Sequence, residues 1–251
     1  MPAPIALQLY TVRDALAQDF SGTIYKIASM GYQGVETAGF PGTTPSAASQ
    51  LFRRLGLTVT SAHTPLPLGD HKNEVLDTAA ALGCAKIICA YISPEQYQTL
   101  DQIKRNCDVL NEANAVAQAH GLSLGVHNHW WEFEPVAGQY PYHLWLQHLD
   151  PAIFFEIDTY WVKTAGLDPV AVVQEFGARA PLLHIKDGPA VKSEAMVAVG
   201  DGSLDFPAII QAAADHSEWL IVELDRCNSD MFEAVARSYR YLSQKIGQDK
   251  S

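Results

Sequence analysis

The chain is poor in everything that staples, anchors or links a protein. Its 251 residues contain four cysteines, Cys84, Cys89, Cys107 and Cys227, none at the close CxxC spacing of a structural metal pair, so four reduced thiols are expected. No apolar run approaches the ~20 residues that cross a bilayer, and the N-terminus lacks the charged-then-apolar pattern of a secretory signal. A cytoplasmic protein with no membrane partner is the expectation. Basic residues are scarce: Lys and Arg number 17 against 28 Asp and Glu, for a formal charge of -11, with no basic patch or tail. Nucleic-acid affinity comes from clustered cations that release counterions, so no nucleic-acid partner is expected. The chain also has neither GxGxxG nor GxxxxGKS. Its glycine-rich GDGSLDF segment therefore argues for no nucleotide, and Asp205 within it reads as a helix N-cap. Linkers and low-complexity stretches are missing as well.

What the chain has is enough apolar material, 48% of residues, to bury a large core. Apolar, β-branched runs recur at Ile5 to Tyr10, Gly34 to Thr37, Leu57 to His63, Lys86 to Ile92, Leu122 to His129, Ile153 to Trp161, Leu182 to Lys186 and Trp219 to Leu224. Helical stretches separate them: Phe20 to Met30, Ser46 to Leu55, Asn73 to Leu82, Pro94 to Ala119, Tyr142 to Leu149, Pro169 to Ala178, Phe206 to His216 and Met231 to Ile246. Near-continuous apolar strands alternating with helices predict a parallel sheet buried on both faces. Eight such units fit a single (β/α)8 TIM barrel over residues 1–251, with an open doubly wound sheet as the alternative. Gly31, Gly56, Gly83 and Gly121 each stand between a helix and the next strand, where a left-handed C-cap suits glycine.

The strands end in polar groups. LSLGVHNHWWEFE places His127 and His129 at alternate strand positions, with Glu132 just beyond; IFFEIDTYW ends near Asp158, LLHIKDG in His184 and Lys186, and WLIVELD in Glu223. In a parallel barrel these ends meet at one mouth. Two carboxylates and an imidazole, Asp158, Glu223 and His184, suit a divalent cation such as Mn²⁺ or Mg²⁺, with Zn²⁺ also accommodated. Lys186 would bind an oxyanion or pair with a carboxylate. His63, His127 and His129 would bond substrate groups or relay protons. Trp161 offers a stacking face, and Glu36 would orient substrate or a histidine.

IALQLYTVRD, GVE at Gly34 to Glu36, SAH ending at His63, HNHWWEF, DTYW, HIKDG and GDGSLDFPAII together resemble the sugar phosphate isomerase/epimerase family with its xylose isomerase-like TIM barrel. The resemblance covers nearly the whole chain. It implies a carbohydrate substrate and a divalent metal, commonly Mn²⁺, held by a Glu, an Asp, a His and a second Glu from strands five to eight. Carried over, Asp158, His184 and Glu223 match the last three. The first falls on Gly125, which has no side chain to offer, so Glu132 is expected to fill that place, with His129 as the alternative. The activity implied is proton transfer α to a carbonyl, with Glu223 as base, Glu132 as its partner and Lys186 assisting. A keto-sugar lyase or dehydratase shares the first step, and a non-catalytic sugar-binding protein is the reading that Gly125 favours. Self-association is left open by the sequence.

Overall fold

The computed structural model describes residues 3–248; positions 1, 2 and 249–251 of the expected span lie outside the described residues. Eight strands form the centre: β1 (Ile5–Gln8), β2 (Gly34–Thr37), β3 (Thr58–Thr64), β4 (Lys86–Cys89), β5 (Ser123–His127), β6 (Phe154–Asp158), β7 (Leu182–Ile185) and β8 (Trp219–Val222). Each pairs in parallel with its neighbours in chain order, and β8 closes on β1 through Ile5 opposite Leu220, so the barrel predicted from the alternation is present. The predicted αβ turns are also seen, with positive φ at Gly31, Gly56, Gly83 and Gly121.

Several strands are shorter than their apolar runs, and this bears on the site. β5 stops at His127, so His129 lies in the loop rather than two positions along the same strand. β6 stops at Asp158, whose Oδ1 accepts the Trp161 N–H at 2.9 Å and starts the helix Thr159–Thr164. A side chain that caps a helix competes with strand continuation, which is why the run read as strand to Trp161 turns there. The expected helix Pro94 to Ala119 is divided into a single 3-10 turn, Pro94–Tyr97, and the long helix Leu100–Ala119, which Thr99 caps.

The barrel interior is layered by the two-residue period of a strand. Ala6, Ile88, Phe154, Leu182 and Ile221 are buried together as an apolar plug, with Trp219 packed against it. Two residues further along, inward positions turn polar on most strands: Gln8 follows Ala6, Glu36 follows Gly34, His127 follows Gly125, Glu156 follows Phe154, His184 follows Leu182 and Glu223 follows Ile221. Another two residues bring Asp158, Lys186 and Asp225. A register shift between Val35 and Glu36 against β3 sets Ser61 opposite Glu36. Among the described residues no helix is long and apolar enough to cross a membrane.

Candidate active site

Glu36, Glu156, Asp158 and His184 are fully buried, and Glu223 and His127 nearly so. His184 is the hub. Its Nδ1 lies 2.7 Å from Glu223 Oε2, and its Nε2 lies 2.7 Å from Glu36 Oε2 and 3.1 Å from Glu156 Oε2. His63 Nε2 stands 2.8 Å from the same Glu156 oxygen and 3.1 Å from Glu36 Oε2. Gln8 Nε2 donates to Glu36 Oε2 at 2.6 Å and the Ser61 hydroxyl donates to Oε1. On the outer side Lys186 Nζ lies 3.0 Å from Asp158 Oδ2, 2.8 Å from Glu223 Oε2 and 3.1 Å from Asp225 Oδ1.

Charges so closely packed set one another's protonation. Burial alone would favour neutral forms. Around Glu36 the charges of His63 and His184 outweigh burial and hold the carboxyl well below its usual range; Lys186 and His184 do the same for Glu223. His63 is correspondingly pushed up to about 10, because Glu36 and Glu156 overcome the cost of burying its cation. Glu156 and Asp158 move the other way. Burial, reinforced for Glu156 by the Glu36 charge, raises both, Asp158 to about 6 despite Lys186. Burial and the surrounding cations keep His127 low, and His129 falls to about 3, so both imidazoles are neutral acceptors near pH 7.

Two four-donor groups within this cluster have ligand atoms lying within 4.8 Å of one another: His127, Asp158, His184 and Glu223, and His63, His127, Glu156 and His184. Three atoms among them, His127 Nδ1, Glu156 Oε1 and Asp158 Oδ2, lack a hydrogen-bond partner among the described residues. Asp158 Oδ2 is within ion-pair distance of Lys186 and His127 Nδ1 is 3.1 Å from Glu156, but neither contact has hydrogen-bond alignment. Buried polar atoms are seldom left unpaired, and carboxylate and imidazole donors without thiolates suit a hard or borderline divalent cation. The residues therefore fit a metal.

The first of these groups brings Asp158, His184 and Glu223 together, the three residues singled out in the sequence, and completes them with His127 rather than Glu132. Gly125 belongs to the apolar plug one layer below; a Cβ there would lie 2.5 Å from the Phe154 ring and 2.6 Å from Ile88 Cδ1. The strand-five position that faces the mouth is His127. Glu132 is drawn away because it sits in the 3-10 turn Trp131–Phe133, where its Oε2 accepts the His129 N–H at 2.8 Å. It neither joins the cluster nor lines the cavity. Glu36, expected to orient substrate or a histidine, is fully buried outside the cavity lining and contacts His63 and His184. Glu156 and Gln8 were not singled out in the sequence. The signal for Glu156 was its two-residue offset from Asp158, which puts both carboxylates inside the barrel.

Above the cluster opens a cavity of about 680 Å³, and His63, His127, His129, Lys186, Glu223 and Trp161 all face it. Its wall is aromatic: the His129 ring stacks on Trp131 at 4.3 Å, and Trp130 packs 4.8 Å from Trp161. The GDGSLDF loop is pinned by Asp187, whose carboxylate accepts N–H bonds from Gly188, Gly200, Gly202 and Leu204, and Asp205 caps the helix that follows, as its sequence predicts.

Burial pushes the Glu132 carboxyl up to about 8. A raised carboxyl means the folded chain holds a proton that the unfolded chain releases between about pH 4.5 and 8, so stability falls as pH rises through that window. Glu132→Gln is expected to flatten that fall, whose slope is at most about 1.4 kcal/mol per pH unit. Urea unfolding of both proteins at pH 5 and pH 8 checks it; parallel pH profiles would refute a buried neutral carboxyl.

A closed eightfold barrel whose mouth carries buried carboxylates and imidazoles defines a TIM-barrel protein with a polar strand-end site. The chain belongs to the xylose isomerase-like TIM barrel family, whose profile matches residues 24–244. A sugar phosphate isomerase/epimerase from Parabacteroides distasonis superposes with a TM-score of 0.82 at 26% identity, over 96% of this chain and 94% of that one. An L-ribulose 3-epimerase superposes at 0.73 with 14% identity, covering 98% and 95% of the two chains, a likeness of fold alone. An inosose dehydratase from Clostridium beijerinckii is 23% identical over 177 residues, which is 62% of this chain and 57% of that protein, so the match spans little more than half of the relative's length.

Proposed function

We propose that this protein is a metal-dependent isomerase or epimerase that moves a proton α to a carbonyl on a ketose or polyol-derived carbohydrate. The observation that carries the reading is the four-donor group His127, Asp158, His184 and Glu223 at the floor of a cavity that Glu223, Lys186 and His129 also face. Those four would hold the cation, with Mn²⁺ the first choice and Mg²⁺ or Zn²⁺ the alternatives. When bound, it would supply a Lewis acid for the charge that builds on the carbonyl oxygen as the α-proton leaves.

The chain's own residues do the rest. Glu223 stays ionised across the neutral range and takes the proton from the face it borders. Lys186 keeps its proton, since Asp158, Asp225 and Glu223 outweigh the cost of its burial, and it donates to the developing oxyanion. With Glu132 outside the cavity, the group that can return a proton to carbon while Glu223 keeps the one it took is the protonated His63, which faces the cavity; His129, neutral and held flat by Trp131, accepts from substrate hydroxyls. Glu36 and Glu156 hold His63 and His184 in place from below. Trp161 offers its ring to sugar C–H groups, 5.4 Å from the Lys186 ammonium.

Elimination is the second reading. It is favoured by the inosose dehydratase relative and by the protonated His63 facing the cavity, a ready acid for a leaving hydroxyl. Incubation with a panel of ketoses and inososes in D₂O with Mn²⁺ separates the readings. Isomerisation or epimerisation exchanges a carbon-bound hydrogen for deuterium and otherwise conserves the formula, whereas elimination releases water and leaves an unsaturated product. A panel that neither exchanges nor eliminates, with or without metal, would contradict both.

A further inference from the structure

We infer that the mouth is built for an uncharged two-ring substrate, a disaccharide or a glycoside with an aromatic aglycone, of which only the inner ring reaches the polar floor. The inference rests on the carbohydrate reading above and narrows its substrate class.

Size is the first argument. A single hexose fills on the order of 200 Å³ at the packing density of protein interiors, well short of the cavity's 680 Å³. Cavities of about 300–1,000 Å³ house ligands of drug size. The second argument is where the spare volume lies. An unbroken aromatic wall climbs from floor to rim: Trp161 to Trp130 at 4.8 Å, Trp130 to Trp131 at 4.8 Å, and Trp131 to Tyr91 at 5.6 Å. Its lower end borders Lys186, where the chemistry is, and its upper end, Tyr91, is 58% exposed. A monosaccharide seated on the floor leaves the upper wall wet. A second ring would cover it by stacking on Tyr91 and Trp130, which present apolar faces at low entropic cost.

The third argument is charge. Towards the rim the lining carries Lys192 and Arg226, which would suit a phosphate if they were free. Arg226 instead donates to the Lys192 and Glu194 carbonyls, and Lys192 is paired with Glu134. Lys192 is neutralised by Glu134, Arg226 is tethered to backbone carbonyls, and Glu223 and Asp225 add carboxylates to the lining, so the outer subsite favours a neutral ring over a phosphoryl group.

Calorimetric titration of the full chain with methyl and phenyl β-D-glycosides of glucose, galactose and xylose tests this without turnover. For at least one sugar the phenyl glycoside is expected to bind about tenfold tighter than its methyl partner, equivalent to roughly 1.4 kcal/mol. Tyr91→Ala and Trp130→Ala should each collapse that phenyl-to-methyl ratio towards one. Because Tyr91 is exposed, its variant stays informative even if Trp130→Ala fails to fold. Equal affinity within all three pairs, or a ratio that survives the Tyr91 substitution, would overturn the two-ring inference alone. Binding by none of the glycosides would also overturn the two-ring inference, whereas the carbohydrate reading stands or falls separately on the ketose and inosose panel.

Discussion

Glu223→Gln is expected to lower turnover, read as solvent deuterium exchange, by about 10³-fold or more while the barrel still folds. General-base catalysis contributes about 10²–10⁴-fold, and this residue also supplies a cation donor, so the two losses compound. The substitution removes the charge that Lys186 and His184 both face at 2.7–2.8 Å but keeps an oxygen acceptor of the same shape. The backbone around it is secured independently: Glu223 N–H donates to the Ile185 carbonyl and Leu224 N–H to Thr11 Oγ1. Mn²⁺ affinity should fall in the same variant. If exchange stayed within a few-fold of wild type, Glu223 would be neither base nor ligand, and the proton would have to leave through an imidazole.

The second large effect is on folding. Placing a glutamate at position 125, where the resemblance implies one, should not create a ligand; it should prevent the barrel from closing. The new Cβ would sit 2.5 Å from Phe154 and 2.6 Å from Ile88, with the carboxylate beginning in an apolar layer that offers no partner. Overpacking of that kind costs about 1–3 kcal/mol before the buried charge is counted, and an unpaired buried carboxylate adds several more. Gly125→Ala isolates the first part, with an expected loss of about 1–3 kcal/mol in urea unfolding. A Gly125→Glu protein that folded and bound Mn²⁺ more tightly would show that position 125 faces the mouth after all.

These two residues mark how far the sequence could be read. The eight apolar runs and the glycines between them were enough for a closed parallel barrel, because burial on both faces leaves a continuous apolar signature and each αβ turn needs a positive φ. Asp158, His184 and Glu223 were legible because an ionisable group at the end of a buried strand has few places to go but the mouth. Register was harder to read. Gly125 packs against Phe154 and Ile88 one inward step below the mouth, and the period of two makes the next inward residue, His127, the one that meets Asp158. Glu132 looked near in sequence, yet a 3-10 turn three residues long rotates it onto the His129 backbone. Glu156 was hidden inside an apolar run, where a lone carboxylate reads as noise until the opposing His63 and His184 are seen. Local pattern fixes which way a strand side chain points, but not what stands across the barrel from it.

The most direct measurement is the anomalous difference map of crystals soaked in Mn²⁺. The account predicts one strong peak among His127, Asp158, His184 and Glu223, at the roughly 2.0–2.4 Å ligand distances of divalent cations, with Lys186 displaced from the Asp158 and Glu223 oxygens it now contacts. A mouth without a peak, Lys186 still bridging those two carboxylates at saturating Mn²⁺, would contradict it.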